Sequence, residues 1–376
     1  MEKIESSVLS DIRHTTYDIL SPRILIVNPF GIGDVLFTTP IIGAIRKQYP
    51  NAYIGYICNI RTAPFILSDP NVNKCFIFEK DEYRHLWKIS KYRCLLKLYR
   101  LLREARDEKF DTVFDLSLAR EFGLFLKLAG IKKRIGYNYK KRGIFLTNKI
   151  DLDGYHDKHM AEYYISLMAL AGIESPEGLC MHIYIPEKSR RNARDLLLIK
   201  GIADDEGFVC MAPGGGLSWG GTSFRKQWPK ENFLEIAKVL CGELNLKVVL
   251  IGSGEDKQMC GYIKEKEARC IDLCGETDLL TSAGIIDKAR MLIANDGGPL
   301  HIAAALGTDT VSIFGPVDDK VYGPYPVSEK HIVIRNDSLS CRPCYRNFKI
   351  PECGHRDCLN KISAQTVVEA VKRSIL

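Results

Sequence analysis

Short apolar runs that alternate with helical stretches constrain the fold of this chain more than any other feature. The clearest unit is the segment 291–305 (MLIANDGGPLHIAAA), in which an apolar run is followed by a polar, glycine-rich turn and an apolar helix. Pro299 suits the first helical position, where its missing N–H costs nothing. Strands that are apolar throughout are typical of parallel sheets covered by helices on both faces. We therefore predict an α/β fold.

The same alternation occurs twice along the chain, with a break between residues 174 and 186. Strands are predicted at 23–28, 52–58, 74–78, 112–116, 134–137, 208–212, 247–251, 270–273, 291–294 and 310–314. We predict an N-terminal extension (1–21) and two Rossmann-like domains (22–185 and 186–376) that face each other across a cleft. The last helix, 363–375, is a candidate for packing back on the first domain. Ligands of such sheets bind beyond the carboxyl ends of the strands, where the glycine-rich turns fall.

Composition is that of a soluble globular protein. Hydrophobic residues make up 46% and charged residues 26% of the 376 residues, which is enough to bury a full core. No apolar run reaches the length of a membrane span, and the first 20 residues lack the pattern of a secretory signal. The 13 cysteines mostly stand singly within predicted strands and helices. These features predict a cytoplasmic protein with reduced thiols.

The formal charge of +7 is concentrated in one segment, residues 84–106. Its acidic residue is Glu104, and its eight basic residues are Arg84, Lys88, Lys91, Arg93, Lys97, Arg100, Arg103 and Arg106. Apolar residues interleave at helical spacing: Leu95, Leu98, Tyr99 and Leu102. Such a helix is a candidate for contact with acidic lipid or an anionic acceptor. The simpler interpretation, which we favour here, is that its apolar stripe packs on the sheet and its cations are solvated. No recognition motif indicates a nucleic acid partner.

The first glycine-rich turn excludes two common nucleotide sites. Its glycines, Gly31 and Gly33, are followed by Leu36 where a dinucleotide fingerprint needs a small residue, and no P-loop motif occurs in the chain. Asp34 begins the next helix. An acidic residue there is usually a cap, but at the end of the first strand it could also take a proton from a bound hydroxyl.

The second half of the chain contains a candidate anion site. Gly297 and Gly298 precede a helix, whose first N–H groups favour anions, and Asp296 and His301 flank them. A capped helix is an equally good interpretation of this turn alone. Arg225 and Lys226 lie just before another helix and could contact phosphate. The loop after the strand 208–212, with Gly214 and Gly215, is expected at the same site.

Four motifs in order resemble glycosyltransferase family 9, the lipopolysaccharide heptosyltransferases. They are Gly33-Asp34-Val35 with Thr39-Pro40, Lys226-Gln-Trp-Pro229, Asn295-Asp-Gly-Gly-Pro-Leu-His301 and Phe314-Gly-Pro316. The resemblance extends from about residue 23 to the C-terminus. It implies a GT-B fold and an inverting, metal-independent transfer of a sugar from a nucleotide diphosphate, commonly ADP-heptose. The acceptor stays open between the lipopolysaccharide inner core, another cell-surface glycan and a protein. The basic segment 84–106 favours an anionic glycan or glycolipid and peripheral contact with the inner face of the cell membrane.

By the same resemblance, Asp34 matches the general base of the family and Lys226 its phosphate-binding lysine. Asp296 and His301 match the acid and histidine of the donor site, where Gly297 and Gly298 offer backbone N–H groups. The chain departs at Gly297, where heptosyltransferases usually carry threonine. Two alternatives remain open: a sugar-nucleotide epimerase of the same fold, and a nucleotide-sugar-binding protein without transfer activity.

Four cysteines close together near the C-terminus form a candidate metal site. They are Cys341, Cys344, Cys353 and Cys358, in the spacing C-x2-C-x8-C-x4-C within the segment 341–358. Four thiolates often hold a tetrahedral metal such as zinc or iron, although reduced or paired thiols are equally consistent with this spacing. We expect that catalysis requires no cofactor.

Overall fold

The computed structural model describes residues 21–216 and 220–375, which form two six-stranded parallel sheets with helices. The strands of the first sheet are β1 (Arg23–Val27), β2 (Tyr53–Cys58), β3 (Lys74–Ile77), β4 (Thr112–Asp115), β5 (Lys133–Tyr139) and β6 (Asn148–Leu152). They are ordered β3-β2-β1-β4-β5-β6. The helices of this half are α1 (Ile32–Leu36), α2 (Thr39–Gln48), α3 (Ala63–Ser68), α4 (Lys80–Ile89), α5 (Lys91–Asp107), α6 (Arg120–Leu128), α7 (Met160–Ser166) and α8 (Met168–Ala171).

The second sheet repeats this arrangement. Its strands are β7 (Phe208–Ala212), β8 (Lys247–Leu250), β9 (Ile271–Asp272), β10 (Met291–Asn295), β11 (Asp309–Phe314) and β12 (His331–Arg335), in the order β12-β11-β10-β7-β8-β9. Its α-helices are α9 (Glu187–Ile199), α10 (Lys230–Gly242), α11 (Lys257–Lys266), α12 (Leu279–Lys288), α13 (Gly298–Leu306), α14 (Asp319–Tyr322), α15 (Asp357–Asn360) and α16 (Ala364–Ile375). Short 3-10 helices span Gly220–Lys226 and Gly254–Asp256. The predicted α/β class with two Rossmann-like halves is confirmed.

The chain divides into two compact units, each with its own sheet. The first contains residues 38–153 and 164–179 together with the chain up to Phe30, and the second contains 31–37, 154–163 and 180–376. The sequence placed one boundary at 185/186. In the structure the boundary is at 179/180, and two short segments of the N-terminal half belong to the second unit. One of these segments is the turn that carries Asp34.

The C-terminal helix belongs to the second unit. The apolar face of α16, including Val367, Val368 and Val371, packs in the core formed by β7, β8, β10 and β11. The alternative that this helix returns to the N-terminal domain is therefore not observed. Its apolar stripe is already buried against its own sheet.

Three further differences concern helices and edges. The single helix predicted after Asp34 is interrupted, so that α1 ends at Leu36 and α2 begins at Thr39, and the long basic helix is divided at Ser90 into α4 and α5. The edge strands β6 and β12 were not predicted. Both are only partly buried, so they lack the continuous apolar run that reveals a central strand. Across the described residues, no helix is both long and apolar enough to cross a membrane.

Candidate active site

Asp34 is the third residue of the short helix α1, whose N-cap is Gly31, so Asp34 is not the N-cap that its position in the sequence suggests. Its Oδ2 accepts a hydrogen bond from the backbone N–H of Gly31, at 3.1 Å, as the acidic residue of a capping box does. Asp34 is half-buried, and burial of its carboxyl group raises its pKa to about 6, against the lowering effects of the Gly31 N–H and of Lys226. A carboxylate with a pKa this close to neutrality is suited to accept a proton. Capping and general-base catalysis are therefore compatible.

Lys226 and Asp296 form a buried ion pair in the same compact unit as Asp34. The Nζ of Lys226 lies 2.7 Å from the Oδ2 of Asp296, and both side chains are more than nine-tenths buried. A buried pair of this kind gains little stability relative to apolar residues, because removing two charges from water is costly. Its presence beside a helix N-terminus favours a role in binding a charged ligand.

Trp228 and Asn295 fix the positions of these two charges. The indole N–H of buried Trp228 donates to the carbonyl of Ile362, and its backbone N–H donates to the Oδ1 of Asn295. The Nδ2 of Asn295 donates in turn to the carbonyl of Pro213, at 2.7 Å. Asn295 therefore joins the segment that carries Lys226 to the glycine-rich loop. The sequence motifs contained both residues, but their patterns did not reveal this structural role.

The helix α13 begins immediately after Asp296, with Gly297 as its N-cap and Pro299 as its second residue. The first N–H groups of a helix have no partner within it, which makes its start favourable for an anion. At Gly298, an added Cβ would lie 2.9 Å from the Cδ1 of Ile32, so α1 and α13 are in close contact. At Gly297 the backbone is extended and the nearest atoms to an added Cβ are 3.9 Å away.

His301 lies on α13 against the turn that carries Asp34. A Cβ on Gly33 would lie only 2.5 Å from the Cδ2 of His301, and the ring of Phe37 contacts His301 edge-on, with centroids 4.8 Å apart. Burial, reinforced by the charges of His159 and Lys226, lowers the pKa of His301 to about 3, so the ring is neutral. Its buried Nδ1 has no hydrogen-bond partner among the described residues. The Nδ1 of this neutral ring is therefore available for one hydrogen bond with a ligand.

His159 and Tyr322 are site residues that the sequence analysis did not identify. His159 packs edge-on against Phe37, with centroids 4.9 Å apart, and burial lowers its pKa to about 4. Because its Nδ1 accepts the Ala161 N–H, its Nε2 carries the proton and donates to the carbonyl of Gly323, at 3.1 Å. The pKa of Tyr322 is raised by burial and by nearby anionic groups that include Asp34 and Asp296. Each is a single polar residue in or next to irregular chain, where periodicity gives no information.

Three of the predicted donor-site residues have structural contacts of their own. The guanidinium of Arg225 donates to the carbonyl of Pro351, at 2.8 Å, which is in the cysteine-rich segment. A Cβ on Gly214 would lie 2.2 Å from Asp256, and one on Gly215 would lie 2.5 Å from the carbonyl oxygen of Ser223. The two glycines are thus required for close packing of loops. Their contact with a donor stays a prediction, and so does that of Arg225, whose buried Nε has no hydrogen-bond partner among the described residues.

The four C-terminal cysteines lie in one region. Burial and the neighbouring thiols raise the pKa of Cys358 to about 11, and the pKa of Cys344 is raised by burial and by the thiols of Cys341 and Cys353. In the described part of the chain, Cys260, Asp272 and Cys274 are the possible metal ligands whose ligand atoms all lie within 4.8 Å of one another. No three sulfur atoms of the four C-terminal cysteines are that close together.

The chain matches a known family over more than half of its length. The model of glycosyltransferase family 9 (heptosyltransferase) matches residues 98–354. Over 321 residues the chain is 26% identical to lipopolysaccharide heptosyltransferase 2 of Salmonella typhimurium, covering 83% of this chain and 88% of the relative. Over 360 residues it is 25% identical to lipooligosaccharide heptosyltransferase 2 of Campylobacter jejuni, covering 93% and 98%.

Solved structures agree with this family. Escherichia coli ADP-heptose lipopolysaccharide heptosyltransferase II is 25% identical, with a TM-score of 0.72 over 94% of this chain and 98% of the other. A family 9 glycosyltransferase of Veillonella parvula has the same fold, with a TM-score of 0.78, 23% identity and coverage of 94% and 97%. The predicted GT-B fold is thereby confirmed. The chain belongs to glycosyltransferase family 9 and is a glycosyltransferase.

Proposed function

We propose that the protein transfers a heptose from ADP-heptose to a hydroxyl of a lipopolysaccharide inner-core acceptor, with inversion at the anomeric carbon. The observation that carries the proposal is the pKa of about 6 of Asp34, in the same compact unit as the Lys226–Asp296 ion pair and the start of α13. A proton acceptor and a diphosphate site are the two components that such a transfer needs. Several of the named relatives are lipopolysaccharide or lipooligosaccharide heptosyltransferases, which supports this choice of donor and acceptor.

In the proposed reaction, a carboxylate oxygen of Asp34 accepts the proton of the acceptor hydroxyl. The hydroxyl oxygen forms a bond to the anomeric carbon from the face opposite the diphosphate. The bond between that carbon and the phosphate oxygen breaks, and ADP leaves with the electron pair. A single displacement inverts the anomeric configuration. A positioned base of this kind contributes roughly a hundred- to ten-thousand-fold in rate.

Positive charge from the protein stabilises the leaving diphosphate in this proposal. Lys226 supplies a full charge, and the N-terminus of α13 supplies backbone N–H groups and a partial charge. Asp296 holds Lys226 in place, and neutral His301 contributes a hydrogen bond through its ring. We propose that Lys226 and the N-terminus of α13 take the place of a metal ion in stabilising the leaving diphosphate. We also place the reaction in the cytoplasm, at the inner face of the membrane that holds the glycolipid.

Release of ADP from ADP-heptose, measured with and without a delipidated inner-core acceptor, tests this proposal. We expect release only with acceptor, undiminished by a chelator, and a product whose anomeric configuration by NMR is opposite to that of the donor. Release without acceptor, or conversion of the donor into an isomer, would indicate a different reaction. Tight ADP binding without any turnover would indicate a binding protein.

We also propose that Cys341, Cys344, Cys353 and Cys358 bind one structural zinc or iron ion. Four thiolates suit either metal, and the four thiols already influence one another's pKa values. Metal binding would require the sulfur atoms to move closer together. Elemental analysis of purified protein, alongside the Cys341→Ser and Cys353→Ser variant, tests the site. Stoichiometric metal that the variant lacks supports it, and a fully folded, metal-free native protein contradicts it.

A further inference from the structure

The basic segment of the first unit forms a helical hairpin of α4 and α5 that is firmly attached to the protein on one side. Ser90 separates the two helices and caps α5 by accepting the N–H of Arg93, at 3.3 Å. The ring of Tyr83 on α4 stacks on Phe78, with centroids 4.6 Å apart, and the thiol of Cys94 donates to the carbonyl of Tyr83. The hairpin is therefore a fixed part of the unit.

The helix α5 has two adjoining apolar stripes, one buried and one exposed, whose centres are about 120° apart around the helix axis. The inner stripe packs in the core of the first sheet and consists of Leu98, Leu101, Leu102 and Ala105. The outer stripe is exposed and consists of Tyr92, Leu95, Leu96 and Tyr99, which follow the helical spacing i, i+3, i+4, i+7. Packing on the sheet, the simpler interpretation of this segment, explains only the inner stripe.

Two further exposed apolar residues, Trp87 and Ile89, lie at the end of α4. Six of the seventeen large hydrophobic side chains that are exposed in the described part of the chain lie between residues 87 and 99. Their exposed fractions are 50% for Trp87, 62% for Ile89, 75% for Tyr92, 55% for Leu95, 37% for Leu96 and 59% for Tyr99. Single exposed apolar residues are ordinary, whereas a cluster of this density marks an interaction surface. We call these six residues the outer face.

Cations surround the outer face. Within the described residues, three basic side chains of the hairpin are paired with acidic ones: Arg84 with Asp81, Lys97 with Glu82 and Arg103 with Asp107. Among the described residues, no ion pair involves the other five cations, Lys88, Lys91, Arg93, Arg100 and Arg106. Lys91 lies over the ring of Trp87, 5.7 Å from its centroid. The surface thus combines tryptophan, tyrosine and aliphatic side chains with excess positive charge.

We propose that the outer face docks on an anionic lipid bilayer, with its aromatic and aliphatic side chains at the level of the headgroups and its cations on the anionic groups. Amphipathic tryptophan and tyrosine side chains favour this level of a bilayer, and arginine and lysine are attracted by its negative surface. A protein partner is less well matched, because charged residues are depleted at the core of protein interfaces, whereas cations accompany the apolar side chains along this hairpin. The inference deepens the proposed function by naming the surface that brings the enzyme to a lipid-linked acceptor. Docking itself requires no turnover.

Co-sedimentation of the full chain with vesicles tests the electrostatic part. We expect binding to mixed phosphatidylglycerol and phosphatidylcholine vesicles, little binding to phosphatidylcholine alone, and weakening by added salt. Arg93→Glu with Arg100→Glu should weaken partitioning at least about 25-fold, at roughly fivefold for each lost cation. Lys188→Glu with Arg191→Glu, on exposed positions of α9, changes the net charge equally and should have little effect. Equal losses in both double variants would contradict docking through the hairpin.

The apolar part is tested by Tyr92→Ser with Tyr99→Ser. We expect this variant to lose vesicle binding several-fold even at high salt, whereas Val327→Ser, at a residue that is 91% exposed elsewhere, should not. Self-association that disappears in the tyrosine variant without any lipid effect would identify a second copy as the occupant and overturn the proposal. Equal binding to neutral and anionic vesicles would overturn it as well.

All variants should retain turnover on a soluble, delipidated acceptor. If turnover is absent even in the native protein while vesicle binding persists, the proposed reaction fails and the docking surface stands.

Discussion

The proton affinity of Asp34 results from opposing local influences. Burial raises its pKa most, the Gly31 N–H and Lys226 lower it, and the negative charge of Asp296 raises it again. Asp34 must be deprotonated to act as a base. The kcat/KM of the native protein should therefore rise with pH through an acid limb near pH 6.

Two substitutions should move this limb in opposite directions. Lys226→Met removes a cation that favours the charged carboxylate, so the pKa of Asp34 rises and the limb moves to higher pH. Asp296→Asn removes an anion that disfavours it, so the limb moves to lower pH. Each substitution breaks a buried ion pair and costs about 3–5 kcal/mol of stability, but the position of the limb does not depend on the amount of folded enzyme. Shifts in the same direction, or none, would contradict the placement of these charges around Asp34.

Gly297 is the position at which the resemblance predicts a threonine, and the structure shows that a side chain would fit there. Its φ is 176°, and an added Cβ would be no closer than 3.9 Å to its nearest neighbours. Gly297→Thr should therefore fold normally and supply a hydroxyl to the diphosphate. Because a hydrogen bond to a charged group contributes roughly 1.5 kcal/mol or more, the donor Kd should fall about tenfold. Gly297→Ala offers the same backbone without the hydroxyl. Calorimetry with ADP should show tighter binding in the threonine variant alone, and equal affinities would argue against a hydroxyl contact at this position.

At the scale of elements, the contact between α1 and α13 leaves no room for an added side-chain carbon. Alanine is favoured over glycine within a helix by about 0.5–1 kcal/mol, but a Cβ on Gly33 would lie 2.5 Å from the ring of His301. Overpacking typically costs about 1–3 kcal/mol, so the steric term should win and Gly33→Ala should lower the free energy of unfolding. Gly261→Ala, in α11 with no neighbour within 4 Å, is the matched control and should raise it. Chemical denaturation decides, and a Gly33→Ala protein as stable as the control would show that His301 moves without cost.

Sequence patterns predicted the central strands well because those strands are buried on both faces. The apolar runs of β1, β7 and β10 each reflect complete burial of nearly every residue. The hairpin was harder to interpret, because the buried and the exposed apolar stripes of α5 adjoin around the helix and therefore look like one amphipathic pattern in the sequence. The break at Ser90 was missed for a related reason: both flanking segments favour helix, and a single serine is a weak stop.

At the scale of the whole molecule, the sequence predicted the candidate site residues better than it predicted the compact unit to which each of them belongs. Asp34, Lys226, Asp296 and His301 all stand in short motifs beside glycines or strand ends, and all four occur in the second compact unit. The inclusion of residues 31–37 in that unit could not be predicted, because it depends on close packing of Gly33 and Gly298 rather than on chain order. His159 enters the same unit through the segment 154–163, of which residues 154–159 have no regular secondary structure.

The central claim is that Asp34 is the proton acceptor of a transferase whose diphosphate site is formed by other residues. Turnover and donor affinity of Asp34→Asn, measured together, test it most directly. Asparagine keeps the size of the side chain and can still accept the Gly31 N–H, so the donor Kd should stay within about twofold while turnover falls roughly a hundred- to ten-thousand-fold. Near-native turnover, or a loss explained entirely by weaker donor binding, would contradict the account.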